Sequence, residues 1–361
     1  MTQTVPRSRV SYLSWCLCLI ALATAPFSYA EQSTEPAVDG DNAASEADQK
    51  SLFQEMNDAV RKRNYRGVMV YARNGEMRGL SVVHRFKNGR EQERIQSMGA
   101  EPREVIRDDD VVTCILPKDR QVMLDRNDLR GVLANVRQFS EADIAPYYEM
   151  VLEKRSRLID RQCRVYHIKP RDQYRYGYRL WVDEETALPL RMDLLGESGE
   201  VLEQTMFTQI EFPENIPDEA LKPKLDPAEF QWVRRDETDS MPLQADSHWK
   251  ISQMPPGFKM VERGMRMPAD VQTPIEHMLF SDGLATVSVM LRPQRNKRVR
   301  FQGRSRMGAV NVYAQQLNGH HLTVMGEVPP ATVEFFSRQV QALNTDAPAQ
   351  ASTQAVPAAS P

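Results

Sequence analysis

This sequence is poor in histidine and cysteine and has almost no charge imbalance. Its 361 residues hold six His and four Cys, and 46 Lys+Arg stand against 49 Asp+Glu. A formal net charge of −3 excludes whole-surface attraction to a polyphosphate. The chain has no G-x-S-x-G elbow, no G-x-x-x-x-G-K-S/T loop, no H-E-x-x-H and no G-x-G-x-x-G after a strand. The common hydrolase, nucleotide and zinc-protease signatures are therefore absent. Of His84, His167, His248, His277, His320 and His321, only the last two are neighbours, and successive strand residues point to opposite faces. That pair does not make a bidentate metal site. Nothing repeats at a fixed period, and mean hydropathy is −0.53. Only one long apolar run is present.

That run decides the compartment. Arg7 and Arg9 precede an apolar core from Leu13 to Ala25, which Ser28-Tyr29-Ala30 follows with small residues where a signal peptidase inspects them. The core is short against the roughly 20 residues a bilayer span needs. Residues 1–30 read as a signal peptide cleaved after Ala30, which moves the net charge from −3 to −5 by removing Arg7 and Arg9. Cys16 and Cys18 leave with it, but bulky Trp15 and Leu17 precede them, which does not suit a lipobox. The mature chain keeps Cys114 and Cys163 in an oxidising compartment, where an even pair commonly bridges. A Cys114–Cys163 disulfide is the expectation, worth roughly 4 kcal/mol in the chain-entropy model.

Residues 31–50 are rich in Glu, Asp, Ala, Ser and Gln and have little to bury, which predicts a disordered leader. Order is expected from Ser51, where Ser51-x-x-Gln54 makes a capping box and Phe53, Met56 and Val60 follow at helical spacing. From Arg66 the period changes to two. GVMVYA, LSVVHRF, REQERIQSM, REVIR, VVTCIL and QVMLD, punctuated by Asn74-Gly75, Lys87-Asn88-Gly89 and Asp108-Asp109-Asp110, read as an antiparallel meander. A helical stretch is expected near Ile144 to Glu153, and strands resume with RVYHIK. Tyr174 to Val182 alternate, with Tyr174, Tyr176, Tyr178, Leu180 and Val182 on one face and Arg175, Arg179 and Trp181 on the other. LRMDLLG and EVLEQTMFTQIEF close the large domain, 51–213. Prolines crowd between Pro213 and Asp246, which predicts a short helix from Asp218 and an interdomain linker, 214–247. A small α+β domain, 248–341, starts near Trp249 and closes with a helix from Pro330 to Leu343. Residues 342–361 read as a disordered Ala/Pro tail.

Three features invite chemistry. Asp108-Asp109-Asp110 reads as a solvated turn, because it lacks the Gly and later bidentate Glu of a calcium loop. Arg292, Arg295, Lys297, Arg298, Arg300, Arg304 and Arg306 put seven cations in fifteen residues with no acid among them. That run suits a phosphate-bearing partner or an acidic peptide, or is a solvated face. A strongly curved meander with aromatics on both faces could wrap an apolar cavity. The residues by themselves leave open a packed sheet, a regulatory binding module and a periplasmic lipid or lipoprotein carrier.

RKRNYRGVMVYARNG, REVIR, RLIDRQCRVYHI, YGYRLWVDEETALPLRMDLLGESGEVLEQTMFTQIEF, SDGLATVSVML and HHLTVMGEVPPATVEFF together resemble the RseB/MucB family, over nearly all of Ser51 to Val340. The resemblance implies an N-terminal LolA/LolB-like unclosed antiparallel β-barrel with covering helices, plus a smaller C-terminal α+β domain. It implies a periplasmic negative regulator of sigma-E (AlgU) that binds the periplasmic domain of a single-pass RseA/MucA-like anti-sigma factor and shields it from the first protease. Lipopolysaccharide or another acyl lipid would release it. No enzyme activity, cofactor, metal or nucleic acid is implied, and a homo-oligomer is left open. On residue type, Trp249, Phe258, Phe280, Leu284, Arg295, Arg298 and Arg300 are the candidates for the anti-sigma peptide. Tyr71, Phe86, Tyr176 and Trp181 are the candidates for lipid. The dense basic run and the Ala/Pro tail are not features of the family.

Overall fold

A computed structural model describes residues 46–99, 102–109, 111–125, 144–226, 230–235, 240–242, 249–266, 273–294 and 301–343. The expected signal peptide, leader residues 31–45 and the tail from residue 344 lie outside the described residues.

Helix α1 (Glu46–Lys62) begins five residues before the expected Ser51. Backbone propensity explains the extension, since Glu46, Ala47, Gln49 and Lys50 are good helix formers. Leu52, Phe53, Met56, Ala59 and Val60 form its buried stripe. Beyond its end, Asn64 donates to Glu214 O at 2.8 Å and accepts from Phe86 N at 3.0 Å, tying the exit to the sheet.

The large sheet has twelve strands. They are β1 (Tyr65–Arg73), β2 (Glu76–Lys87), β3 (Arg90–Ser97), β4 (Glu104–Asp108), β5 (Val111–Leu116), β6 (Gln121–Asp125), β7 (Tyr148–Leu158), β8 (Arg161–Pro170), β9 (Gly177–Asp183), β10 (Pro189–Leu195), β11 (Val201–Glu211) and β12 (Gln231–Arg235). The spatial order is β12, β6, β5, β4, β3, β2, β1, β11, β10, β9, β8, β7, so the sheet is unclosed with β12 and β7 at its ends. The β12–β6 pairing is parallel and the others are antiparallel. Asn74-Gly75 and Asn88-Gly89 all have positive φ, the geometry that matches a two-residue turn to strand twist.

Several expectations change here. The stretch from Tyr148 is strand β7, preceded by a helical Ile144 and a turn over 145–147, because β7 pairs with β8 through a tight turn at Ile159 (φ 44°) and Asp160 (φ 62°). That turn lacks the usual glycine and hides the hairpin. Tyr174 and Tyr176 precede β9 and are not part of its alternation. The segment expected as a linker contributes strand β12 to the large sheet and β13 (Ser240–Pro242) to the small one. Cys114 and Cys163 are both buried and both remain thiols. Cys114 lies on β5 and Cys163 on β8, with seven strands between them in the sheet order. Burial, then the Asp183 carboxylate, pushes the Cys163 thiol up to about 11.

The small domain contains β14 (Trp249–Ile251), β15 (Lys259–Arg266), β16 (Ile275–Ser281), β17 (Thr286–Pro293), β18 (Gly303–Met307), β19 (Val310–Leu317), β20 (His320–Gly326), helix α2 (Pro330–Gln339) and β21 (Val340–Ala342). Seven strands run in the order β13, β15, β16, β17, β20, β19, β18, and β14 pairs with β21. Helix α2 ends before the expected Leu343 because Val340 turns extended (φ −71°, ψ 123°) and pairs with Ile251. Ala342, expected at the start of the tail, pairs with Trp249. Phe336 of α2 packs on Phe258 and Phe280, with ring centroids 5.6 and 5.0 Å apart.

Candidate functional site at the domain junction

The residues expected to contact peptide or lipid are for the most part buried. Trp249, Phe258 and Phe280 are 3, 4 and 1% exposed in the small-domain core, and Leu284 is 6% exposed in the large-domain core. None of them can reach a partner without unpacking, which overturns their assignment as surface contacts. They are large apolar side chains at inward strand and turn positions, and packing claimed them. Arg295, Arg298 and Arg300 lie outside the described residues.

The four lipid candidates do not line one surface. Tyr71 pairs with Thr205, Thr205 with Met192 and Met192 with Leu180, which puts Tyr71 and Leu180 on one face. Trp181 pairs with Arg191, Arg191 with Met206 and Met206 with Val70, so Trp181 lies on the opposite face. It is buried, with the Arg191 guanidinium 4.2 Å from its ring centroid. Phe86 shares the face of Tyr71 but stands eight residues along β2 from Arg78, the partner of Tyr71. The face they share is filled by α1, whose Phe53, Met56 and Val60 form one core cluster with Tyr65, Met69, Leu80, Val82 and Phe207.

Tyr71, Tyr176, Phe258 and Leu284 do converge, on the junction between the domains. Three tight turns of the small domain dock there, each built on a glycine with positive φ. At Gly257 (φ 85°) a Cβ would stand 2.5 Å from the Tyr147 ring, and at Gly283 (φ 104°) 3.1 Å from Ile144. At Gly308 (φ 65°) a Cβ would collide with the Arg73 guanidinium. Only glycine tolerates both the φ and the contact.

Two buried arginines of the large domain grip these turns. The Arg175 side chain is fully buried, donates to Asp172 at 3.1 Å and Pro256 O at 2.5 Å, and lies 3.2 Å from Asp282. The contact with Asp282, also fully buried, is ionic, since Nη1 lies outside hydrogen-bond geometry. The rings of Tyr147, Tyr148 and Phe258 surround the guanidinium at 4.9, 5.4 and 5.4 Å. Asp282 also accepts from Tyr148 Oη at 3.0 Å and from the backbone of Leu284 and Ala285 at 2.9 and 2.7 Å. Burial and then the Asp282 charge hold the Tyr148 hydroxyl protonated, with its pKa well above the usual tyrosine value. Arg73 donates to Met307 O and pairs with Glu203 at 3.1 Å. Glu203 accepts from Tyr71 Oη at 2.5 Å, and burial followed by this carboxylate raises the Tyr71 pKa.

Neutral contacts complete the seam. Asn311 donates to Tyr176 Oη at 3.0 Å and Val328 O at 2.8 Å, and Thr332 Oγ1 donates to Tyr174 O at 2.7 Å. Removing one member of a buried ion pair leaves its partner uncompensated and costs about 3–5 kcal/mol. The junction therefore couples the domains through buried polar groups: Arg175 pairs with Asp172 inside the large domain and with Asp282 across the seam, and Arg73 pairs with Glu203 inside it and donates to Met307 O across the seam. Arg73, Tyr148, Arg175 and Asp282 were not legible as functional residues in the sequence. The available signals were an arginine between two tyrosines at 174–176 and turns at Pro-Pro-Gly and Asp-Gly.

The model of the MucB/RseB N-terminal domain matches residues 48–225 and that of the MucB/RseB C-terminal domain matches residues 243–341. MucB, the regulatory protein of sigma factor AlgU in Pseudomonas aeruginosa, is 31% identical over 304 residues, 83% of this chain and 92% of that protein. The solved MucA/MucB complex of Pseudomonas aeruginosa aligns at TM-score 0.66 and 28% identity, covering 82% of this chain and 99% of that one. The crystal structure of MucB aligns at TM-score 0.58 with the same identity, covering 82% and 98%. With both family models matched in order and a relative aligned across both domains, the chain belongs to the MucB/RseB family.

Proposed function

We propose that this chain is a periplasmic negative regulator of a sigma-E-type factor that binds the periplasmic domain of a membrane anti-sigma factor. The observation that carries this reading is that the likeness to the MucA-bound relative extends over both domains, at 28% identity and nearly the whole of that chain. Bound peptide would be shielded from the first protease of a regulated cascade. Lipopolysaccharide or a mislocalised acyl lipid would release it. Such release is linkage: a ligand that favours the peptide-free state lowers peptide affinity by the same factor. Moving the complex from nearly all bound to nearly all free takes roughly 5.5 kcal/mol of differential binding.

Calorimetric titration of residues 31–361 with the periplasmic segment of the anti-sigma factor tests this directly. Saturable binding that weakens when lipopolysaccharide is present is the expected result. Two folded components that do not bind would reject the regulator and leave the carrier of lipid or lipoprotein.

A further inference from the structure

We propose that Arg175, Asp282 and Tyr148 form a latch that holds the two domains in the orientation competent to bind the anti-sigma segment. This inference rests on the regulatory reading above and adds the device that sets its affinity. Arg175 and Tyr148 come from the large domain and Asp282 from the small one, and both charged side chains are fully buried. Separating the domains would leave the guanidinium with Asp172 and the Tyr147 and Tyr148 rings, and would strip buried Asp282 of its cation. It would also remove the hydroxyl that Asp282 accepts from. An intermediate opening does not satisfy Asp282, so the junction has two states, closed and open, with little between them.

A peptide that engages the closed state gains affinity from every contact that keeps it populated. The latch then changes affinity without touching the peptide.

The test uses the full mature chain with spin labels at exposed positions of each domain, Lys169→Cys and Gln316→Cys. Interdomain distance distributions and calorimetric titration with the anti-sigma segment are read on the same samples. Asp282→Asn keeps a side-chain oxygen for the backbone of Leu284 and Ala285 but removes the charge that faces Arg175 across the seam, leaving it Asp172 alone. It is expected to broaden the distance distribution and weaken binding roughly tenfold or more. The double variant Arg175→Met/Asp282→Asn leaves no stranded charge and should recover most of the affinity. Unchanged distances in Asp282→Asn would show that the pair is no latch. Broadened distances with unchanged affinity would show that the peptide does not read domain orientation, and either result overturns the proposal. If Asp282→Asn does not fold, Tyr148→Phe carries both readouts, with smaller effects in the same direction. If the unsubstituted chain fails to bind the segment, the regulatory reading fails, while the distances still report whether the latch exists.

Discussion

The sheet face under α1 and the junction between the domains are both dry, but they exclude water with different chemistry. Beneath α1, Phe53, Met56 and Val60 meet Tyr65, Met69, Leu80 and Phe207, a set whose attraction is non-directional and scales with buried area. At the junction the turns of the small domain close on Arg73, Arg175, Glu203 and Asp282, whose interactions have fixed partners and lose their value when one is displaced. The apolar face makes the large domain foldable and tolerates repacking. The charged seam adds less to folding but specifies one orientation, and that difference is open to experiment.

The largest effect should come from the apolar face. Phe207 is 0% exposed and meets Tyr65 edge-on at 6.2 Å. Phe207→Ala is expected to cost about 3–5 kcal/mol in denaturant unfolding. The fraction that remains folded should keep the interdomain distances of the parent. Altered distances in folded Phe207→Ala would mean that core and junction are not separable.

Gly257→Ala attacks the other side of the comparison. The added Cβ lands on the Tyr147 ring at a φ that only glycine adopts easily, so the expected cost is roughly 1–3 kcal/mol, drawn from domain coupling. Calorimetry should show the single transition splitting or broadening, with the large-domain component barely moved. A uniform downshift of one sharp transition would place the strain inside a domain and not at the seam.

How much of this was legible in the sequence follows the same division. Asn74-Gly75, Asn88-Gly89 and Asn318-Gly319 mark hairpins because their residues suit positive φ locally, and all six adopt it. The stripe of α1 was readable because burial against a sheet needs only helical spacing. The β7–β8 hairpin was not, since its turn uses Ile159-Asp160, where tertiary pairing overrides local preference. The junction was illegible for a further reason: Arg175 and Asp282 are 107 positions apart in the chain, and neither carries a local pattern. Tyr71 and Tyr176 were singled out as aromatics for an apolar cavity, whereas their hydroxyls serve polar partners at the seam, Glu203 within the large domain and Asn311 across from it. Residue type identified them as buried but did not say against what.

The smallest effect comes from an ion pair inside one domain, which serves as the control for Arg175 and Asp282. Asp183, on β9, takes a fork from Arg161 at 2.9 Å on both oxygens and a further bond from Thr186 N at 2.9 Å. Burial pushes this carboxyl up, but the bonds from Arg161 and Thr186 outweigh it and hold the pKa below the ordinary carboxylate value. A folded-state pKa below the unfolded one gives stability that is fully present above the unfolded value, about 3.9, and is lost as pH falls through the folded value. Asp183→Asn should therefore lower stability at neutral pH and flatten its decline below roughly pH 4, where the parent loses the same contribution. Urea titrations at pH 7 and pH 3 check this, and an equal deficit at both would mean the carboxylate charge is not what the fork stabilises. Because the pair lies within the large domain, the Lys169–Gln316 distances of Asp183→Asn should match those of the parent at pH 7. If they broaden as in Asp282→Asn, sensitivity of orientation to buried charge is a property of the whole molecule, and the junction loses its special standing.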